Sequence, residues 1–164
     1  MVRNSDMIGI DTFSWNKLIL LVHSEWQKPI EELIVKSDIF ITVEGKKEFE
    51  YRFPDELDLL DNITVFPILN TDTFKQYRKK YDLNDSSLLE YCDIKGYRII
   101  SEDRPLLEEG ITNKKNILQL IDFFYELYIS YNFFSRTEMY HLINLFRTWK
   151  NIKEKKAKFY KNHL

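Results

Sequence analysis

Short apolar runs rich in β-branched residues alternate with helix-compatible segments up to residue 103. Four of these runs, residues 7–11, 39–43, 62–68 and 97–100, have the length and composition of buried strands. A chain that alternates strands and helices in this way forms right-handed βαβ units, whose strands lie parallel in one sheet. The sequence therefore predicts an α/β fold with a central parallel sheet.

The segment before the fourth run predicts a helix with defined ends. Asn84 or Asp85 is a suitable N-cap, and Gly96 is the residue type that commonly ends a helix. Only residues 110–111 indicate a fifth strand. We therefore expect a sheet domain over residues 1–111.

The pattern changes to long helical segments after this domain. Residues 113–131 and 136–156 have helical spacing, and Ser135 with Glu138 matches a capping box between them. These features predict a C-terminal helical hairpin, residues 112–164, that packs on the sheet domain. Apolar side chains, many of them aromatic, surround most of the circumference of its first helix, which indicates core packing, with homodimerisation as an additional role.

Charge is distributed unevenly along the chain. Residues 147–164 contain seven Lys or Arg and one acid, giving +6, whereas residues 1–146 contain 17 basic and 25 acidic residues, giving −8. Two interpretations of this basic tail stay open. It is either a solvated helix end whose cations suit the helix dipole, or a segment that binds RNA phosphates.

Composition excludes several classes of function. The single cysteine, Cys92, rules out an intrachain disulfide and a cysteine-rich zinc site. With four glycines and no GxxxxGK[ST] or GxGxxG motif, a glycine-rich nucleotide-binding loop is excluded. The longest apolar run near the N-terminus, residues 18–22, is too short for a signal sequence or a membrane span. We expect a soluble cytoplasmic protein with no membrane contact.

Carboxylates follow the predicted strands. Asp11 comes directly after the first, Glu44 and Glu48 follow the second, Asp85 opens the helix before the fourth, and Asp103 follows the fourth. The carboxyl ends of parallel strands meet at one edge of a sheet, where ligands bind. Because clustered carboxylates repel one another, this edge predicts a divalent cation with oxygen ligands, Mg²⁺ or Mn²⁺.

These segments resemble the motifs of PIN-domain ribonucleases, in the family's order over about two-thirds of the chain. "GIDTF" is similar to the first motif, "FITVEGKKEF" to the second, and "YDLNDSSLLEYCDIKGYRIISEDRPL" to the third and fourth together. The resemblance implies a three-layer PIN-like α/β/α domain. The second-motif acid maps best to Glu48, with Glu44 as the alternative.

The resemblance also implies a function and a set of site residues. The implied activity is that of a metal-dependent endoribonuclease, as in the toxin of a toxin–antitoxin pair or in an RNA-processing nuclease. The partners are then an RNA substrate and, for a toxin, an antitoxin protein. The residues that correspond to the family's metal ligands are Asp11, Glu48, Asp85 and Asp103.

Three further residues have two interpretations each. Thr12 and Ser101 either position an aspartate or a water, or satisfy local backbone groups, and Arg104 either contacts a substrate phosphate or forms a local ion pair. The alternative function is a non-catalytic PIN-like module that assembles a complex through its aromatic C-terminal helices.

Overall fold

The computed structural model of the protein describes residues 7–164, so the first six residues of the predicted domain lie outside the described part. The chain forms two compact units, and the boundary between them falls between Leu118 and Gln119. Five strands of the first unit form one sheet. They are β1 (Ile8–Ile10), β2 (Ile39–Thr42), β3 (Thr64–Phe66), β4 (Arg98–Ile100) and β5 (Ile117–Leu118).

The sheet is parallel throughout, with the order β3-β2-β1-β4-β5. Every residue of β1 and β2 is buried. Because successive strand residues face opposite sides of a sheet, burial of all of them means that both faces are covered. The predicted α/β fold with a central parallel sheet is confirmed, and the covered faces are compatible with three layers.

Six α-helices and one 3₁₀ helix connect these strands within residues 7–118. The α-helices are α1 (Thr12–Val22), α2 (Gln27–Lys36), α3 (Val43–Arg52), α4 (Asp72–Tyr77), α5 (Leu83–Lys95) and α6 (Arg104–Thr112), and the 3₁₀ helix is Leu57–Leu60. On one face of the sheet, Leu88 of α5 packs with Phe40 and Ile99 in a buried cluster.

The beginning of α5 differs from the prediction. Its N-cap is Asp82, whose carboxylate accepts a hydrogen bond from the N–H of Asp85 at 2.8 Å. Assigning the cap to Asn84 or Asp85 was wrong because Asp82 stands three residues before Asp85, the spacing at which a cap reaches the free N–H groups of the first turn. Gly96 does end the helix, with a left-handed φ of 69°.

The fifth strand also lies elsewhere than predicted. Residues 110–111 belong to α6, and β5 is formed by Ile117 and Leu118, which pair with Ile99 and Ile100. The sheet unit therefore extends seven residues past the expected boundary at residue 111.

The second unit, residues 119–164, contains three helices instead of the predicted hairpin. They are α7 (Leu120–Tyr131), α8 (Arg136–Thr148) and α9 (Glu154–Asn162). The second helical segment breaks after α8, where Lys150 adopts a left-handed φ of 58°. The capping box of Ser135 and Glu138 is confirmed at the start of α8.

Aromatic packing forms the core of this second unit. The buried ring of Phe124 meets Phe134 at 5.3 Å and Phe146 at 5.7 Å between centroids. Much of the predicted aromatic surface is therefore used inside the unit. Among residues 7–164, no helix combines the length and the apolar composition needed to cross a bilayer.

Candidate functional site

The order of the strands creates a crevice at the carboxyl ends of β1 and β4. The chain leaves β1 toward β2 on one side and reaches β4 on the other side, so the strand order reverses here. Ligands of open α/β sheets bind at such a switch point. Ile10 and Ile100 are paired in register, and the next residue, Asp11, donates its N–H to the carbonyl of Ile100 at 3.0 Å.

Asp11 is held in this crevice by two hydrogen bonds. Its side chain is only 2% exposed. One oxygen, Oδ1, accepts the N–H of Ser14 at 2.8 Å and caps α1, and Oδ2 accepts the hydroxyl of Ser101. Burial raises the pKa of Asp11, the hydrogen bonds from Ser101 and Ser14 act in the opposite direction, and the charge of Asp103 raises it further.

Ser101 connects the first aspartate to the last. It is fully buried after β4, and its Oγ accepts the N–H of Asp103 at 2.9 Å while its hydroxyl binds Asp11. Asp103 is the N-cap residue of α6. These contacts agree with both interpretations of Ser101, since its hydroxyl holds an aspartate and its oxygen satisfies a local backbone N–H.

Asp85 experiences the charge of all the other predicted acids. It lies in the first turn of α5, half-buried. Burial, followed by the charges of Asp82, Asp11, Asp103 and Glu48, raises its pKa to about 8. Carboxylates from four separate segments of the sequence thus act on one another in this crevice.

Asn84 links α5 to α3 and decides between the two candidate acids of α3. Its Nδ2 donates to Glu48 Oε2 at 3.0 Å and lies 3.4 Å from Thr12 Oγ1. The other oxygen of Glu48 is 3.2 Å from Nε of Arg52. Glu44, by contrast, pairs with the exposed Lys47 at 3.1 Å. Glu48 is therefore the acid of α3 that Asn84 holds, although Glu44 lines the same groove.

Small and hydroxylated residues allow α3 and α5 to approach this closely. A side chain at Gly45 would place its Cβ 2.8 Å from Oδ1 of Asn84, so any other residue there would displace the Asn84 side chain. Thr42 caps α3 by accepting the N–H of Gly45 at 3.1 Å, and its hydroxyl lies 2.7 Å from the hydroxyl of the buried Ser87. Ser87 also donates its hydroxyl to the carbonyl of Asn84 at 2.6 Å, so both buried hydroxyls have hydrogen-bond partners.

Sequence reasoning missed Asn84 as a site residue and considered it only as a helix cap. The signal that was present is the spacing of Asp82 and Asp85, which identifies Asp82 as the cap and releases the side chain of Asn84 for another role. Arg104 forms a local ion pair with Glu108 at 2.8 Å, on the exposed side of α6. That contact agrees with the interpretation in which Arg104 forms a local ion pair.

The donors in the crevice suit a hard cation. They are oxygen atoms of carboxylates, hydroxyls and an amide, the ligand types of Mg²⁺ and Mn²⁺. Within residues 7–164, no group of three or more His, Cys, Asp or Glu side chains is arranged to hold a metal ion. Mg²⁺ commonly keeps several waters and uses one or two carboxylates, so this donor set fits it without a cage of protein ligands.

Comparison with family models, with curated proteins and with solved structures gives no match to this chain.

Proposed function

We propose that this protein is a metal-dependent endoribonuclease of the PIN-like type. The observation that carries the proposal is the geometry around Asp85: Ser101 joins Asp11 to the N–H of Asp103, and the neighbouring Asn84 holds Glu48 at 3.0 Å. The pKa of Asp85 is raised by the charges of Asp11, Glu48 and Asp103. Each of these acids was selected from the sequence as a counterpart of a family metal ligand. In an open α/β sheet the switch point is the place where ligands bind, and acids clustered there are candidates for a ligand site.

A divalent cation complements the negative charge of this crevice. Several partly buried carboxylates repel one another, and the repulsion is relieved when a cation binds between them. Asp11, Glu48, Asp85 and Asp103 would hold Mg²⁺ or Mn²⁺. When bound, such an ion lowers the pKa of a water molecule and stabilises the negative charge that develops on a phosphodiester.

The chain's own contribution is to orient these carboxylates. Ser101 and the N–H of Ser14 hold the carboxylate plane of Asp11 from both sides, and Asn84 with Arg52 does the same for Glu48. Fixing the acids before substrate binds reduces the reorganisation needed during the reaction.

The direct test is cleavage of a mixed pool of single-stranded RNA with and without Mg²⁺ or Mn²⁺. Asp11→Asn and Glu48→Gln keep the side-chain shapes and are expected to lower the metal-dependent rate by about 100-fold or more, since even outer groups of metal sites contribute 10- to 100-fold. Glu44→Gln is the matched control, because Glu44 lies on the same helix and pairs with Lys47. Equal rates for the wild type and Asp11→Asn would contradict the proposal.

The second candidate function is a non-catalytic PIN-like module. Two observations favour it: the described acids form no group of three ready to hold a metal, and the second unit leaves Tyr140 and Phe159 46% and 56% exposed. Titration of Mn²⁺ with the unfolding temperature as the readout separates the two candidates. A functional site stabilises the fold by about 2.7 kcal/mol at 100 times the dissociation constant, whereas a degenerate site gives no shift.

The biological setting follows from the family resemblance only. As a toxin, the protein would have an antitoxin encoded in a flanking reading frame, and as a processing nuclease it would not. The exposed lysines of α9, such as Lys155 and Lys158, are available for RNA phosphates.

A further inference from the structure

One exposed aromatic side chain stands beside the carboxylate crevice. Tyr51 lies in the last turn of α3, three residues after Glu48, and is 87% exposed. Residues three apart on a helix are neighbours on its surface. A single exposed aromatic residue needs no explanation by itself. The position of Tyr51 between two grooves, by contrast, calls for an explanation.

The first groove runs from Tyr51 to Glu48 and Asn84. Its volume is about 510 Å³, and its charged lining residues are the acids Glu44, Glu48 and Asp82 and the cations Lys47 and Arg78, of which Lys47 pairs with Glu44 at 3.1 Å. One N–H group of Arg78 is used on the carbonyl of Tyr81 at 2.8 Å. A guanidinium has five N–H donors, so Arg78 can bind a phosphate as well.

The second groove runs from Tyr51 to Thr12, the residue after Asp11. Its volume is about 610 Å³, and Arg52 and Phe13 line it as well. Phe13 is 58% exposed, so this groove offers a second aromatic surface. Tyr51 therefore separates two grooves that each reach the crevice, one at Glu48 and the other beside Asp11.

The composition of these grooves matches one class of ligand. Flat aromatic surfaces stack on nucleobases, cationic side chains bind the phosphates between them, and the crevice carries the carboxylates. A paired base inside a duplex has both faces covered by its neighbours, so only an unpaired base can stack on Tyr51.

We propose that Tyr51 is a base-stacking residue for single-stranded RNA. An unpaired base stacks on its ring, and the RNA backbone passes from Arg78 and Lys47 on one side to Arg52 on the other. The position of the stacked base then determines which phosphodiester lies over the carboxylates. Tyr51 is thus a positioning residue for the substrate. This inference rests on the proposed nuclease function.

Binding to a labelled single-stranded RNA tests the stacking directly. All variants are made in an Asp11→Asn background, so that bound RNA stays intact, and the affinity is measured by fluorescence anisotropy in Mg²⁺. Tyr51→Leu removes the ring and keeps apolar bulk, and it is expected to weaken binding by about 5-fold to 100-fold, the range for loss of one stacked base. Tyr51→Phe keeps the ring and should bind within about 2-fold of the parent, on the same scale.

The matched control is Tyr131→Leu, which changes an exposed tyrosine of the second unit. It should leave the affinity unchanged, and all variants should share one unfolding temperature because both tyrosines are exposed. A 2-aminopurine placed along the RNA reports the stacked position, because its fluorescence falls when it stacks on Tyr51 and recovers in Tyr51→Leu. Duplex RNA should show no difference between Tyr51→Leu and its parent.

Equal affinity of Tyr51→Leu and its parent for single-stranded RNA overturns the inference, as does an equal loss for duplex RNA. A protein partner that Tyr51→Leu releases while RNA affinity stays constant also overturns it. Cleavage assays keep the two proposals apart. If Tyr51→Leu in the active enzyme cuts RNA at the same sites and rates as the wild type, the stacking proposal is wrong and the nuclease proposal is retained. If binding depends on Tyr51 but metal-dependent cleavage is absent, the nuclease fails and the stacking stands.

Discussion

The side-chain amide of Asn84 donates a hydrogen bond to Glu48 across 3.0 Å, although the two residues are 36 positions apart in the sequence. This contact joins the first turn of α5 to the middle of α3 at the edge of the carboxylate crevice. It gives Asn84 a role that no single motif predicts, and it leads to the first of four predictions.

Replacing Asn84 with alanine should weaken metal binding by about 10- to 100-fold, the usual loss when an outer partner of a metal ligand is removed. The amide restricts the carboxylate of Glu48, and without it Arg52 is the partner that still restrains Glu48 among residues 7–164. The measurement is the Mn²⁺ concentration that half-saturates the rise in unfolding temperature.

Two comparisons complete this experiment. Glu44→Gln serves as the control and should leave the Mn²⁺ affinity unchanged, because Glu44 contacts Lys47. If Asn84→Ala and the wild type have the same Mn²⁺ affinity, Asn84 does not position a metal ligand.

Stability without metal should fall as the pH rises from about 4 to about 8. Folding raises the pKa of Asp85 from 3.8 to about 8, so the unfolded chain releases this proton at a lower pH than the folded chain does. In that pH range, ionisation of Asp85 favours the unfolded state. The loss of stability is complete above the pKa that Asp85 has in the folded protein. Urea unfolding at a series of pH values measures it.

Asp85→Asn removes this ionisation and should flatten the dependence on pH over the same range. The pKa of Asp11 is also raised, so part of the slope will remain in the variant. Saturating Mg²⁺ should flatten the wild-type curve too, since ions bind the deprotonated carboxylates. Parallel curves for the wild type and Asp85→Asn would exclude Asp85 as the source.

Ser101→Ala should destabilise the fold by about 1–3 kcal/mol, the cost of leaving buried polar groups without partners. The hydroxyl is fully buried between Asp11 and the N–H of Asp103, so alanine leaves both groups unsatisfied. Urea denaturation gives the free energy of unfolding. Ser130→Ala, at an exposed position of α7, is the control and should change it by less than about 0.5 kcal/mol. An equally small effect of Ser101→Ala would argue against this role.

Glu90→Gln should cost about 2–3 kcal/mol, because hydrogen bonds to a charged group contribute about 1.5–3 kcal/mol each. Glu90 is fully buried, and its carboxylate accepts the N–H of Leu69 at 2.8 Å, the N–H of Thr71 at 2.9 Å and the Thr71 hydroxyl at 2.6 Å. An amide presents one NH₂ group to these donors, so at least one bond is lost.

The control for Glu90 is Glu108→Gln, which breaks an exposed ion pair with Arg104 and should cost less than about 1 kcal/mol. Free energies of unfolding from urea denaturation compare the two variants directly. A smaller loss for Glu90→Gln than for Glu108→Gln would show that the buried carboxylate does not hold the segment after β3.

Local patterns in the chain were enough to predict the fold class and the places where acids follow strands. Alternation of short apolar runs with helical segments is a local pattern, because burial on both faces of a sheet selects residues one strand at a time. Asp11 and Asp103 could therefore be placed at the edge of the sheet from their neighbours in the chain. Gly96 and the capping box of Ser135 could be recognised for the same local reason.

Which side chains meet across elements, by contrast, follows from the packing of the helices on the sheet. Glu48 and Glu44 share one helix and one chemistry, and the approach of α5 through Gly45 separates them by bringing Asn84 to Glu48 alone. The break between α8 and α9 and the position of the fifth strand at Ile117 and Leu118 also depend on contacts between segments that are distant in the sequence. Periodicity reports that a face is buried, whereas the partner of each side chain depends on distances between segments that are far apart in the sequence.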